Sequence, residues 1–203
     1  MIQTALTSLL LLAIGYLLGA IPSGYLAGRW LKGIDLRKCG SGSTGATNVL
    51  RSVGKGPALV VFLIDVGKGA LAVLLAKSVG LSDWLQVLAG LAALAGHIWP
   101  VWLGWKGGKA VATGLGMFLG LAWPVGLACF GLFMALISIF RIVSLSSVVA
   151  AIGLPLLMLL SGGSSAYVVV SLVASLMVLW RHRSNIERLL AGTEPKIGQK
   201  AKG

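Results

Sequence analysis

Residues 111–140 read VATGLGMFLGLAWPVGLACFGLFMALISIF, thirty residues without a charged side chain. Lys109 stands before this run and Arg141 after it. Basic residues beside membrane helices collect on the cytoplasmic side. Both ends therefore belong on one face, and the run crosses the bilayer twice or not at all. Two crossings leave each helix shorter than the ~20 residues of an ordinary span. We read two short helices turning near Trp123-Pro124, with a re-entrant pair as the alternative. The rest of the chain agrees: 203 residues, 57% hydrophobic and 11% charged, describe a polytopic helical membrane protein and not a soluble core.

Working outward, residues 144–160 form the next span. Ser161-Gly162-Gly163-Ser164-Ser165 turns outside and 166–180 returns. The basic tail, with Arg181, Arg183, Arg188, Lys196, Lys200 and Lys202, stays inside. Towards the N-terminus, residues 84–103 and 57–76 are spans joined by a short outer loop containing Asp83. The loop 29–56 carries Arg29, Lys32, Arg37, Lys38, Arg51 and Lys55 against Asp35, and should be cytoplasmic. The first span, 4–30, is interrupted at Pro22-Ser23-Gly24, a break tolerated where neighbours re-satisfy the backbone. No basic region precedes residues 6–18 and no small-residue cleavage site follows, so a retained span is expected there, not a signal peptide. The expected architecture is an all-α bundle of seven transmembrane helices, N-terminus outside and C-terminus cytoplasmic, in one domain over residues 1–203. The net charge of +12 sits in loops beside spans, which argues against a nucleic-acid partner. Cys39 and Cys129 suggest neither a disulfide nor a metal site.

Four polar stretches fall on the cytoplasmic side of this topology. The longest is Gly40-Ser41-Gly42-Ser43-Thr44-Gly45-Ala46-Thr47-Asn48-Val49-Leu50-Arg51. Its glycines allow tight turns and let amides point at a guest. A helix beginning near Thr44 puts Thr47, Asn48 and Arg51 on one face. Such an arrangement suits a small dianion, most simply phosphate; a solvated loop with a good N-cap is the alternative. The second stretch is Gly96-His97-Ile98-Trp99-Pro100 with Lys106-Gly107-Gly108-Lys109-Ala110-Val111-Ala112-Thr113. Gly107-Gly108 ahead of a helix should supply free amides, and Lys106 and Lys109 charge. A basic loop holding topology is its alternative, and His97 taken alone reads as structural. The Walker A pattern is absent, which sets aside a nucleoside triphosphatase. In the third stretch Ser144, Ser146 and Ser147 read as caps on a helix start. In the fourth, Arg181, His182, Asn185 and Arg188 share a helical face opposite Ile186, Leu189 and Leu190. That face suits a phosphate with hydroxyls, or else the membrane surface. Asp65 and Lys68, three apart and midway along a span, read as a structural ion pair, with a proton or ion path as the alternative.

In this order and at these separations, the motifs resemble the bacterial acyl-phosphate:glycerol-3-phosphate acyltransferase family of integral membrane enzymes, over almost the whole chain. The resemblance rests on the stretch from Gly40 to Arg51, on Gly96-His97 with Pro100, on Lys106-Gly107-Gly108-Lys109 with Val111-Ala112-Thr113, and on Arg181-His182 with Asn185-Ile186. Asp65 and Lys68-Gly69 fit the family's second span. Two positions depart from its pattern: Ser43 replaces the usual Asn, and Ala110 the usual Gly. Ordinary backbone angles are expected at Ala110.

The resemblance implies transfer of a fatty acyl group from acyl phosphate to glycerol 3-phosphate, giving 1-acyl-glycerol 3-phosphate (lysophosphatidate) and phosphate. It implies a multi-pass protein of the bacterial plasma (inner) membrane with its active site on the cytoplasmic side. Membrane lipid and an enzyme making acyl phosphate are the expected partners, without metal or cofactor. Catalysis falls to Ser41, Arg51, Lys109, His182 and Asn185. Substrate binding falls to Gly40, Gly42, Gly45, Thr47, Asn48, His97, Gly107, Gly108, Thr113 and Ser147. Ser41, Thr47, Asn48 and the Gly107 and Gly108 amides would hold acyl phosphate; Arg51, Lys109, Ser147, His182 and Asn185 would hold glycerol 3-phosphate. Acyl phosphate is a mixed anhydride with a good leaving group, so direct attack by the substrate hydroxyl is expected. No His182–Glu187 dyad is expected, because five residues turn the pair about 500° around a helix. An anion transporter and a non-catalytic lipid-binding protein are the rival readings.

Overall fold

Pro22 lacks an N–H and forces its predecessor out of the helical region, so the first helix stops there. In the computed structural model, which describes residues 2–199, α1 runs Ile2–Ala20 and α2 resumes at Ser23–Lys32. Lys200 and Lys202 of the basic tail lie outside the described residues. Helix α2 closes on Gly33, at φ 66°, whose N–H bonds back to the Arg29 carbonyl. The remaining helices are α3 (Ala46–Ser52), α4 (Lys55–Ser78), α5 (Asp83–Ile98), α6 (Val111–Leu121), α7 (Trp123–Phe140), α8 (Val143–Leu160), α9 (Ser165–Arg181) and α10 (Arg183–Leu190). There is no strand among the described residues.

The run 111–140 is two helices, separated at Ala122. Among the described residues five helical segments are long and apolar enough to cross a membrane: Ala5–Lys32, Lys55–Ser78, Asp83–Leu103, Trp123–Phe140 and Val143–Leu160. A sixth is added when α9 and α10, bent by 62°, are taken as one. With 11 residues, α6 rises only about 16 Å, roughly half a hydrocarbon core. Helix α5 also ends earlier than the expected 103, because Pro100 pushes Trp99 out of the helical region and a short 3-10 turn, Val101–Leu103, follows.

The helices divide into two compact units, Met1–Ala122 and Trp123–Gly203. Within the first, α1 packs on α5 and α4 on α6. Both crossings rely on small residues. A Cβ on Gly19 would overlap the Ala93 backbone, and one on Gly69 or Gly116 would overlap the Thr113 or Val66 carbonyl. The outer faces of α1 and α4 leave Leu6, Leu9, Leu59, Leu63 and Leu71 exposed, as a lipid-facing surface does. In the second unit α7, α8 and α9 pack in sequence, and the Ser175 hydroxyl bonds the Ala151 carbonyl across α8 and α9. Helix α10 rests on α8 and α9, and beyond it the Ile197 N–H docks on the Arg141 carbonyl at 2.7 Å.

Candidate active site

In the first unit the polar groups gather around two loops and the break between α1 and α2. The loop leading to α3 is fixed at its start by Asp35, whose carboxylate accepts from the Arg37 backbone N–H at 3.0 Å and from the Arg37 side chain at 2.7 Å. The guanidinium holds the Asp35 carboxyl down at about 2. Arg37 also lies 5.2 Å over the Tyr25 ring and donates to the Leu103 carbonyl at 3.2 Å, tying this loop to the end of α5.

Asn48 organises the rest of that loop. Its Nδ2 donates to the carbonyls of Leu36 (3.0 Å), Cys39 (3.0 Å) and Ser43 (2.8 Å), and its Oδ1 accepts from the Ser41 N–H at 3.2 Å. The side chain is 1% exposed. Gly40, at φ 56°, presses on Asn48 Oδ1 where a Cβ would overlap it, and Gly42 is left-handed at φ 69°. Ser41 is exposed at the apex between them, with Gly45 and Thr47 part-buried beyond. Asn48, expected at the substrate, is committed to the loop's own backbone. Arg51 follows one turn along α3.

The second loop is built on the end of α5. The Gly108 N–H donates to the His97 carbonyl and the Gly107 N–H to the Ile98 carbonyl, both at 3.1 Å. These are the amides expected to be free for phosphate, and the chain itself takes them. Here glycine serves closeness: a Cβ at Gly108 would overlap His97 Nε2, and one at Gly107 the His97 carbonyl. Lys109 follows, part-buried. Ala110 then adopts φ 57°, ψ 19°, contrary to the ordinary angles expected for it. Closing the loop onto α5 while starting α6 imposes the left-handed turn. Such a turn strains alanine by about 1–2 kcal/mol. Ala110→Gly, relieving strain but losing a buried methyl, should change stability by no more than about 1 kcal/mol. Ala110→Val should lower it by about 3 kcal/mol, a β-branched side chain being least tolerant of this turn. Thermal unfolding in detergent measures both.

Beneath these loops Asp65 and Lys68 pair at 2.6 Å. Asp65 Oδ1 also accepts from Ser23 Oγ at 2.6 Å, and Lys68 Nζ donates to the Ile21 and Gly19 carbonyls at 2.8 and 3.4 Å. The pair thus serves the broken helix: Lys68 bridges two carbonyls on either side of its end, those of Gly19 and Ile21, the second of which also accepts from the Ser23 N–H at 3.0 Å. His97 Nδ1 lies 3.2 Å from Thr113 Oγ1 and 3.8 Å from Asp65 Oδ1. Both neighbours meet the same ring nitrogen, so no relay of the hydroxyl–imidazole–carboxylate kind exists here. The cavity lined by Pro22, Ser23, Thr44, His97, Pro100 and Leu103 is about 10 Å³, room for about one water.

In the second unit the expected capping serines do something else. Ser146 and Ser147 hydroxyls donate to the Ile142 and Val143 carbonyls at 3.0 and 2.9 Å, and Ser144 donates to Glu194 at 2.7 Å. The expected Arg181–Arg188 face is likewise corrected, because the 62° bend between α9 and α10 separates Arg181 from Asn185 and Arg188. His182 sits at that bend, buried, with Nδ1 2.8 Å from the Val178 carbonyl. A carbonyl only accepts, so Nδ1 carries a proton, and in the neutral form of the ring the lone pair lies on Nε2. Glu187 is exposed and the carbonyl takes the place a dyad acid would hold. Asn185 Nδ2 donates to Glu194 Oε1 at 2.6 Å and Arg188 Nε to Oε2 at 2.7 Å. Burial would raise the Glu194 carboxyl, but Ser144, Asn185 and Arg188 together hold it below its usual range. Glu194 was missed in the sequence; its one signal is that it is an acid in a basic tail.

A model of the glycerol-3-phosphate acyltransferase family matches residues 9–192. The chain is 95% identical over 203 residues to a glycerol-3-phosphate acyltransferase of Synechococcus sp. (strain CC9605), covering 100% of both chains. It is 92% identical over 201 residues to one of Parasynechococcus marenigrum (strain WH8102), covering 99% of this chain and 95% of that one. Among solved structures it is similar to PlsY (YgiH), an integral membrane glycerol 3-phosphate acyltransferase. To the glycerol 3-phosphate form the TM-score is 0.90 at 40% identity, over 94% of this chain and 96% of the other. To the lysophosphatidic acid form it is 0.87 at 39%, over 94% and 95%.

Proposed function

The chain belongs to the glycerol-3-phosphate acyltransferase family, and from that premise we propose that it moves a fatty acyl group from acyl phosphate to glycerol 3-phosphate, the first acylation of phospholipid synthesis. The observation that carries this reading is the TM-score of 0.90 to the glycerol 3-phosphate form of an integral membrane relative, at 40% identity over 94% of the chain. In the proposed step the glycerol hydroxyl oxygen bonds to the acyl carbonyl carbon and the carbon–oxygen bond to phosphate breaks. The products are 1-acyl-glycerol 3-phosphate and inorganic phosphate, and the hydroxyl proton goes to the departing phosphate or to His182 Nε2. Positioning and charge neutralisation supply the acceleration, since the leaving group is already good.

Ser41 and Thr47 hold acyl phosphate on a loop shaped by Gly40, Gly42, Gly45 and Asn48. Gly107, Gly108, His97 and Thr113 hold the second loop in register for Lys109. Arg51, Lys109, Ser147, His182 and Asn185 hold glycerol 3-phosphate. The chain acts as one acyltransferase of the bacterial inner membrane, with seven spans, the N-terminus outside and these groups at the cytoplasmic surface. An enzyme making acyl phosphate supplies the donor.

Purified protein given acyl phosphate and glycerol 3-phosphate should release phosphate, and should do so far more slowly with acyl-CoA as donor. Equal use of acyl-CoA would refute the donor assignment. Transport of phosphate without acyl transfer would refute the whole reading. Arg51→Lys should cost at least about tenfold in turnover, because an ammonium does not reproduce the planar fork of the guanidinium.

A further inference from the structure

The segment after α10 returns over the helix it has just left. Gly192, at φ 68°, turns the chain, the Thr193 N–H bonds the Arg188 carbonyl at 2.8 Å, and Glu194 is delivered inward, 8% exposed. A carboxylate so buried is retained only against good donors. It has three, from two helices: Ser144 of α8 and Asn185 of α10 on Oε1, and Arg188 of α10 on Oε2.

This geometry points to Glu194 as the positioning residue of the glycerol 3-phosphate subsite, acting through Asn185. The assignment rests on the reading above in which Asn185 holds that substrate. A primary amide has two ends of similar shape and opposite hydrogen-bonding character. A carboxylate accepts only, so it fixes the nitrogen towards itself and the oxygen away. The Ser144 hydroxyl on the same Oε1 holds the carboxylate in place, and Arg188 neutralises it. Asn185 therefore meets substrate with one orientation already chosen, which removes an ordering cost from binding.

The test is a double-mutant cycle on the full-length enzyme with Glu194→Ala, Asn185→Ala and the pair, measuring KM for each substrate. Glu194→Ala should raise KM for glycerol 3-phosphate by about tenfold, the worth of one charge-assisted hydrogen bond, and leave KM for acyl phosphate within twofold. In the Asn185→Ala background it should add less than about twofold, since nothing remains to be oriented. Additive losses, or equal rises in both KM values, would overturn the assignment alone. An Asn185→Ala enzyme with unaltered glycerol 3-phosphate kinetics would overturn the underlying reading, and this one with it. Should Glu194→Ala fail to fold, Ser144→Ala deletes one bond to the same oxygen. It should raise KM for glycerol 3-phosphate by roughly two- to fivefold, and an unchanged value would overturn the proposal.

Discussion

Replacing Asp65 by alanine should destabilise the first helical unit by about 3–5 kcal/mol, seen as a fall of about 10 °C or more in the unfolding temperature in detergent. The charge left behind is the reason. Lys68 is 3% exposed and keeps only the Ile21 and Gly19 carbonyls as partners. Lys68→Met should cost slightly less, because Asp65 retains the Ser23 hydroxyl as a donor at 2.6 Å. The informative variant removes both charges. If the two residues merely neutralised each other, Asp65→Leu with Lys68→Met would restore stability, as apolar replacement of buried ion pairs often does. Here a deficit of about 1–3 kcal/mol should remain, the cost of taking the ammonium donor from the Gly19 and Ile21 carbonyls at the break. A double variant as stable as the parent would refute that role. Asp65→Asn that keeps stability but abolishes turnover would favour the proton-path alternative instead.

The parts of that arrangement were legible singly, and their connection was not. Pro22 announces a broken helix, and two charges three apart in an apolar run announce a pair. Nothing in the order of residues says that α4 supplies what α1 lacks. The place of most helices read well because bilayer thickness sets length and hydropathy sets position, and the break near Trp123 followed from charges at both ends of one run; among the described residues five or six segments long enough to cross stand where seven were expected. Ala110 misled because a propensity of about 1–2 kcal/mol yields to loop closure onto a well-packed helix. The Arg181–Arg188 face misled because it assumed an unbroken helix through His182. Glu194 stayed hidden because its partner Ser144 lies fifty residues earlier in the chain. Asn48 and the Gly107 and Gly108 amides show the deeper limit. The groups that would bind phosphate are the groups that would bind a carbonyl, and composition does not distinguish them.

Asn48→Ala tests that distinction directly and should reduce acyl transfer by about 10²–10³-fold, because Ser41, Thr47 and Arg51 depend on the loop it shapes and an ångström of misplacement is worth about 10²-fold. The loss should come with loosening and not with global unfolding. The carbonyls of Leu36, Cys39 and Ser43 lose their donor and the Ser41 N–H its acceptor, but the loop apex at Gly40–Gly42 is exposed and water replaces part of what is lost. Amide exchange across residues 36–45 should therefore rise, most at Ser41, while α4 and α6 stay protected. Asn48→Asp is the sharper variant. It keeps size and shape, but sets a carboxylate against three carbonyl oxygens, so it should be at least as damaging as alanine. A direct role at the phosphate would also make aspartate harmful, by charge repulsion, yet would leave exchange across residues 36–45 at the parent level in Asn48→Ala. Lost turnover with an undisturbed loop would return Asn48 to the substrate. Lost turnover with a loosened loop would mean that this side chain builds the surface on which other groups act.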